Sequence, residues 1–129
     1  MTHALSDDDK LAIARRFAAA SRQNDPEAYT ALCTPDAVTW HNFDGVEVPT
    51  DKTLRTIAWL HRTVPDLTWV DVALLATPSG FVSQTIMTGT APGGPLNVHS
   101  CIVVTLTEDG LVARVDEYLD PAQTAVLAG

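Results

Sequence analysis

The sequence predicts an α+β protein, with helices gathered on one side of a curved antiparallel sheet. Three observations carry that prediction. Helical periodicity fills the first half of the chain around one short strand-like stretch; from Leu67 onward the period changes to strands; and the links between those strands are short and rich in Gly and Pro. The resulting element order is ααβαββββ, and at 129 residues it makes one domain with a sizeable core.

The first helix opens at Ser6, a capping residue ahead of Asp7, Asp8 and Asp9, whose charges suit the positive end of the helix dipole. It runs to about Gln23, with Ile13, Ala14, Phe17, Ala18 and Ala20 on its buried side. Asn24-Asp25-Pro26 stops it and starts a second helix, with Asp25 as cap and Pro26 at the first helical position, to about Leu32. After the turn Thr34-Pro35-Asp36, residues Ala37 to Asn42 read as a short strand. A loop from Phe43 to Pro49 leads to Thr50, the expected cap of a third helix of about Asp51 to Thr63. Its stripe is Leu54, Ile57, Ala58 and His61, and Val64-Pro65-Asp66 ends it. Four strands follow: Leu67–Ala76, Phe81–Ala91, Leu96–Leu106 and Leu111–Leu119. Their tight connections make them antiparallel neighbours. Three modest helices cannot fill a long bent sheet, so a cavity is expected between them, the natural place for a small molecule.

Composition narrows the partners. Hydrophobic residues at 46% and charged residues at 19% are ordinary for a globular protein. No apolar run reaches the roughly 18 residues of a membrane helix, and the polar, acidic start does not resemble a signal peptide, so a cytoplasmic protein without a membrane partner is expected. A net charge of −8 with no Lys/Arg cluster argues against nucleic acid. Cys33 and Cys101 are expected as reduced thiols, and His3, His41, His61 and His99 lack metal-ligand spacing, so neither metal nor cofactor is expected.

The sharpest signal lies in the last strand. Alternation puts Val115, Glu117 and Leu119 on one face and Arg114, Asp116, Tyr118 and Asp120 on the other. Glu117 therefore stands between apolar neighbours on the face that should point inward, where a carboxylate needs water, a partner or a chemical task.

The element order, the segment Thr39-Trp40-His41-Asn42, and Glu108-Asp109-Gly110 leading into Glu117-Tyr118-Leu119-Asp120 resemble the SnoaL-like branch of the nuclear transport factor two superfamily. The resemblance spans nearly the whole chain. It implies a cone-shaped fold, three N-terminal helices on a curved, mostly antiparallel sheet enclosing a pocket, and it is shared by isomerases, cyclases, dehydratases, epoxide hydrolases and plain binding modules. By that resemblance Asn42 matches the general-base aspartate of ketosteroid isomerases and the water-holding asparagine of limonene epoxide hydrolases. Trp40 matches the hydrolases' tyrosine, and Glu117 their water-activating aspartate. Val103 stands where the isomerases keep an oxyanion-stabilising acid, and the hydrolases' Arg-x-Asp pair has no counterpart in Ser83 to Met87. Neither catalytic set is complete.

If Val103 faces the pocket, alternation brings His99 and Cys101 with it. The expected catalytic set is then Glu117, His99 and Asn42: Glu117 and His99 sharing a proton, Asn42 orienting water or a carbonyl. Trp40, Met87, Cys101, Val103, Val115 and Leu119 form the substrate-binding lining, with Trp59 placed either there at the pocket mouth or on a dimer surface. His41 should point to the opposite face from Asn42 and serve structure, as should the Arg114–Asp116 surface pair. The apolar residues on both faces of Ile102-Val103-Val104 predict a homodimer. Two functions fit: a cofactor-free acid–base enzyme on a small, apolar, oxygenated molecule, or a non-catalytic ligand-binding or protein-interaction module.

Overall fold

The computed structural model describes residues 4–129, so His3 lies outside the described part. Helix α1 (Asp7–Arg22) starts at a closed capping box. The Asp9 N–H donates to the Ser6 hydroxyl, and the Ser6 N–H to the Asp9 carboxylate, both at 3.0 Å. Helix α2 (Pro26–Ala31) is capped by Asp25, whose carboxylate accepts the Ala28 N–H at 3.1 Å. The chain then enters β1 (Cys33–His41) and, after a turn, a three-residue strand β2 (Glu47–Pro49) that the sequence reading takes as loop. Because β2 pairs with β1 up to Val38↔Pro49, helix α3 (Thr50–Thr63) leaves the sheet without a side-chain cap. Thr50 is its first helical residue rather than its cap, and its hydroxyl instead donates to the Ala37 carbonyl at 3.4 Å.

The remaining strands are β3 (Thr68–Thr77), β4 (Gly80–Ala91), β5 (Gly94–Leu106) and β6 (Val112–Leu119), followed by a 3-10 helix (Pro121–Ala128) absent from the sequence reading. They form one curved, unclosed sheet in the order β2-β1-β6-β5-β4-β3. All neighbours are antiparallel except β1 and β6, which run parallel because the intervening chain crosses the whole molecule. At the β3–β4 turn the Gly80 backbone lies so close to the Val104 carbonyl that any Cβ would collide with it.

Two apolar clusters pin the helices to the sheet. One joins Ile13, Phe17 and Tyr29 to Phe81, Val104, Val112 and Val115, with the Phe17 ring 4.7 Å from Tyr29 and 6.5 Å from Phe81. The other joins Val64, Ala91, Leu96 and Val98, and receives Val126 and Leu127 of the 3-10 helix. Helix α3 buries no residue completely. It roofs a space that members of both clusters line. Among the described residues no helix is long and apolar enough to cross a membrane.

Candidate active site

The cavity between helices and sheet measures about 400 Å³, within the range of small-molecule sites. Its roof sets Phe17, Ile57, Leu60 and the exposed Trp59 beside the polar Thr53 and Thr56. Its floor is the inner face of the sheet, and strand register decides what stands there. The parallel pairing sets His41 beside Glu117, and the antiparallel pairings set Ile102 beside Glu117, Ser100 beside Leu119 and Thr85 beside Ser100. Paired residues share a face. A polar line therefore crosses four strands, Thr85–Ser100–Glu117–His41, in an otherwise largely apolar chamber.

Glu117 is held at both oxygens. His41 Nε2 lies 3.1 Å from Oε1, and the Ser100 hydroxyl donates to Oε2 at 2.8 Å. Both members of the His41–Glu117 pair are about a quarter exposed, so solvent screening is weakened without being removed. The hydrogen bond that His41 donates to Glu117 raises the His41 pKa above its ordinary value; burial opposes this, and the charges of Glu117 and Asp44 add to it. The buried Tyr29 and Thr39 also line the cavity, and burial pushes the Tyr29 phenol well above its usual range. Its hydroxyl stays a neutral donor there.

Glu117, Met87, Trp59, Val115 and Leu119 all line the cavity. Five other expected site residues do not, and each is a correction. His99, Cys101 and Val103 point to the outer face, because β5 meets β6 with Ile102 opposite Glu117 and Val103 opposite Asp116. This is a slip of one residue, which exchanges every side chain of a strand. His99 is exposed on that face, and its N–H donates to Gln123 Oε1 at 2.9 Å. Trp40 also faces outward and packs edge-on against Tyr118 at 5.5 Å. Asn42 lies just past the end of β1, exposed, with its side chain bonded to the β6 backbone.

His41 takes the inward position instead, contrary to the structural role expected for it. Sequence reasoning missed both His41 and Ser100. Trp40 and Val38 are more apolar than His41 and Thr39, so hydrophobicity points the wrong face of β1 inward. The one usable signal was Glu117 itself: its parallel neighbour in β1 must share its face. His61 also borders the cavity, with Nε2 3.0 Å from the Ser21 carbonyl, tying α3 to α1. Arg114 pairs with Glu47 and, at 2.9 Å, with Asp116, away from the cavity.

A cone of helices on a curved sheet, carrying acid–base groups on its inner wall, defines a class of small-chamber α+β proteins. Within it, the SnoaL-like domain model matches residues 14–115, and the chain belongs to that family, in the nuclear transport factor two superfamily. No curated protein matches it by sequence. Among solved structures it is similar to PrhC from Penicillium brasilianum (TM-score 0.82, 16% identity, covering 94% of this chain and 86% of that one). It is also similar to the BvnE pinacolase from Penicillium brevicompactum (TM-score 0.79, 16% identity, 95% and 94%). A SnoaL-like protein from Jannaschia sp. CCS1 superposes over 100% of this chain and 99% of its own, with TM-score 0.76 and 19% identity. At such identities these likenesses concern the fold.

Proposed function

We propose that this chain is an acid–base enzyme acting on a small, largely apolar, oxygenated molecule, with Glu117 as general base and His41 as its proton-sharing partner. The observation that carries the reading is the His41–Glu117 pair, 3.1 Å apart, on the wall of an unfilled chamber. With Oε2 tied to Ser100, Oε1 is the oxygen that exchanges a proton. Glu117, paired as the carboxylate with His41 at Oε1 before the reaction, would take a proton from a substrate carbon or from water, carry it as the carboxylic acid, and return it to another atom, after which the His41–Glu117 pair is restored. Isomerisation, cyclisation, dehydration and hydrolysis all run through such steps and need no group beyond these side chains. Tyr29 and Thr39 would supply hydroxyls for a substrate oxygen.

The test is a panel of ketones, enones, epoxides and polyketide esters incubated in deuterated water, followed by mass spectrometry. Turnover or deuterium uptake should fall by about 10²–10⁴ in Glu117→Gln. Ligands that bind wild type and variant equally, with no chemistry in either, would establish a binding module instead.

We further propose that the protein works as a cytoplasmic homodimer paired through the outer face of the sheet. Val70, Leu75, Val103 and Tyr118 there are 51%, 62%, 36% and 45% exposed, apolar side chains that a second copy would cover.

A further inference from the structure

The end of β1 contains a substitution of side chain for main chain. His41 pairs with Glu117, and the next step of the parallel ladder is the bond from the Asn42 N–H to the Glu117 carbonyl, 3.1 Å. In a parallel ladder a residue that donates this bond also accepts, through its own carbonyl, the N–H two residues further along the partner strand. That N–H belongs to Leu119, and the group that accepts it, at 2.9 Å, is the Asn42 side-chain oxygen Oδ1. The main chain has already turned away. The Gly45 N–H donates to the His41 carbonyl at 2.9 Å, with Gly45 at φ +66°, and the Asp44 carboxylate accepts the Val46 N–H at 3.0 Å. Asn42 thus lets β1 stop directly after His41 while bonds on both sides of Tyr118 still hold the stretch of β6 that carries Glu117.

We propose that Asn42 is a positioning residue for the His41–Glu117 pair: its side-chain carbonyl stands in for its own main-chain carbonyl in the β1–β6 ladder and keeps the two reactive side chains in register. The inference rests on the reading of that pair as the reactive centre. Asn42 touches no reacting atom and acts only through the β6 backbone. Around His41 itself stand the Glu117 and Asp44 carboxylates and the Phe43 ring, 5.2 Å away.

The experiment is an NMR titration of the His41 ring together with amide exchange of Leu119, in wild type, Asn42→Ala, Asn42→Asp and Glu117→Gln. Removing the acceptor in Asn42→Ala should speed Leu119 exchange by about tenfold. It should also move the His41 midpoint down toward its value in Glu117→Gln. Asn42→Asp keeps an acceptor of the same reach, so Leu119 stays protected and the His41 midpoint stays at or above wild type. If Glu117→Gln lowers the midpoint and Asn42→Ala leaves it unchanged, the positioning role is wrong and the pair stands. If Glu117→Gln itself leaves the midpoint unchanged, the pair is not coupled and the functional reading falls with it. Should Asn42→Ala fail to fold, loss of Leu119 protection in Asn42→Asp would overturn the proposal on its own.

Discussion

The two faces of this sheet break the usual burial rule in opposite directions. The inner face, enclosed by helices, carries His41, Ser100, Thr85 and the ionisable Glu117. The outer face, uncovered in the chain alone, carries Val70, Leu75, Val103 and Tyr118. Neither choice helps a lone chain fold. A carboxylate in a half-dry chamber costs solvation that only His41 and Ser100 offset, and exposed valines leave apolar burial unused. The difference teaches that departures from the burial rule have to be read by face. Polar groups turned inward line the chamber of the proposed chemistry, and apolar groups turned outward form the surface of the proposed dimer.

The largest effect that would sharpen the contrast is loss of core volume under the inner face. Phe81 is 1% exposed and joins α1 to β4 and β5, so Phe81→Ala should cost about 3–5 kcal/mol in denaturant unfolding. Adjacent residues of β5 give a cleaner comparison. Val104 is 1% exposed on the inner face and Val103 is 36% exposed on the outer. Val104→Ala should cost about 2 kcal/mol. Val103→Lys, which would stand opposite Asp116, should cost an isolated chain no more than about 1 kcal/mol in unfolding and, if the proposed outer-face pairing holds, shift the sedimentation coefficient from dimer to monomer. If Val103→Lys leaves the sedimentation coefficient unchanged, the outer face has another use.

A smaller effect concerns pH. His41 has a folded pKa above its unfolded value of about 6.5, because Glu117 bonds to it. A raised pKa contributes stability that is fully present below the unfolded value and is lost as pH rises through the folded one. The stability difference between wild type and Glu117→Gln should therefore shrink as pH climbs above about 6.5. A difference that grows with pH would mean that Glu117 favours neutral His41.

Most of the fold could be read from the residues. Ser6 and Asp25 announce helix starts by chemistry that acts over three or four residues, and Gly and Pro mark the hairpins. What could not be read was short or two-faced. Strand β2 has three residues, too few to show a period, and the 3-10 helix has none of the helical spacing that a search would use. Of the site, Glu117, Val115 and Leu119 could be placed, because β6 alternates plainly between its two faces. Strand β5 offers Ile102, Val103 and Val104 in succession, so its pattern fits either face and the choice of His99 over Ser100 had no local warrant.

The sequence by itself determined which of the longer segments become helix and strand, that the last strand carries an inward carboxylate, and that the chain is an α+β protein. These are local properties, set by backbone capping, turn residues and the two-residue period of a strand. Only the tertiary structure decided the partner of that carboxylate. His41 and Glu117 are 76 residues apart in sequence numbering, and they meet because β1 and β6 pair in parallel, a register that neither strand encodes alone. A step of one residue would have put Trp40 or Asn42 beside Glu117 instead, and the inward face would have carried different chemistry.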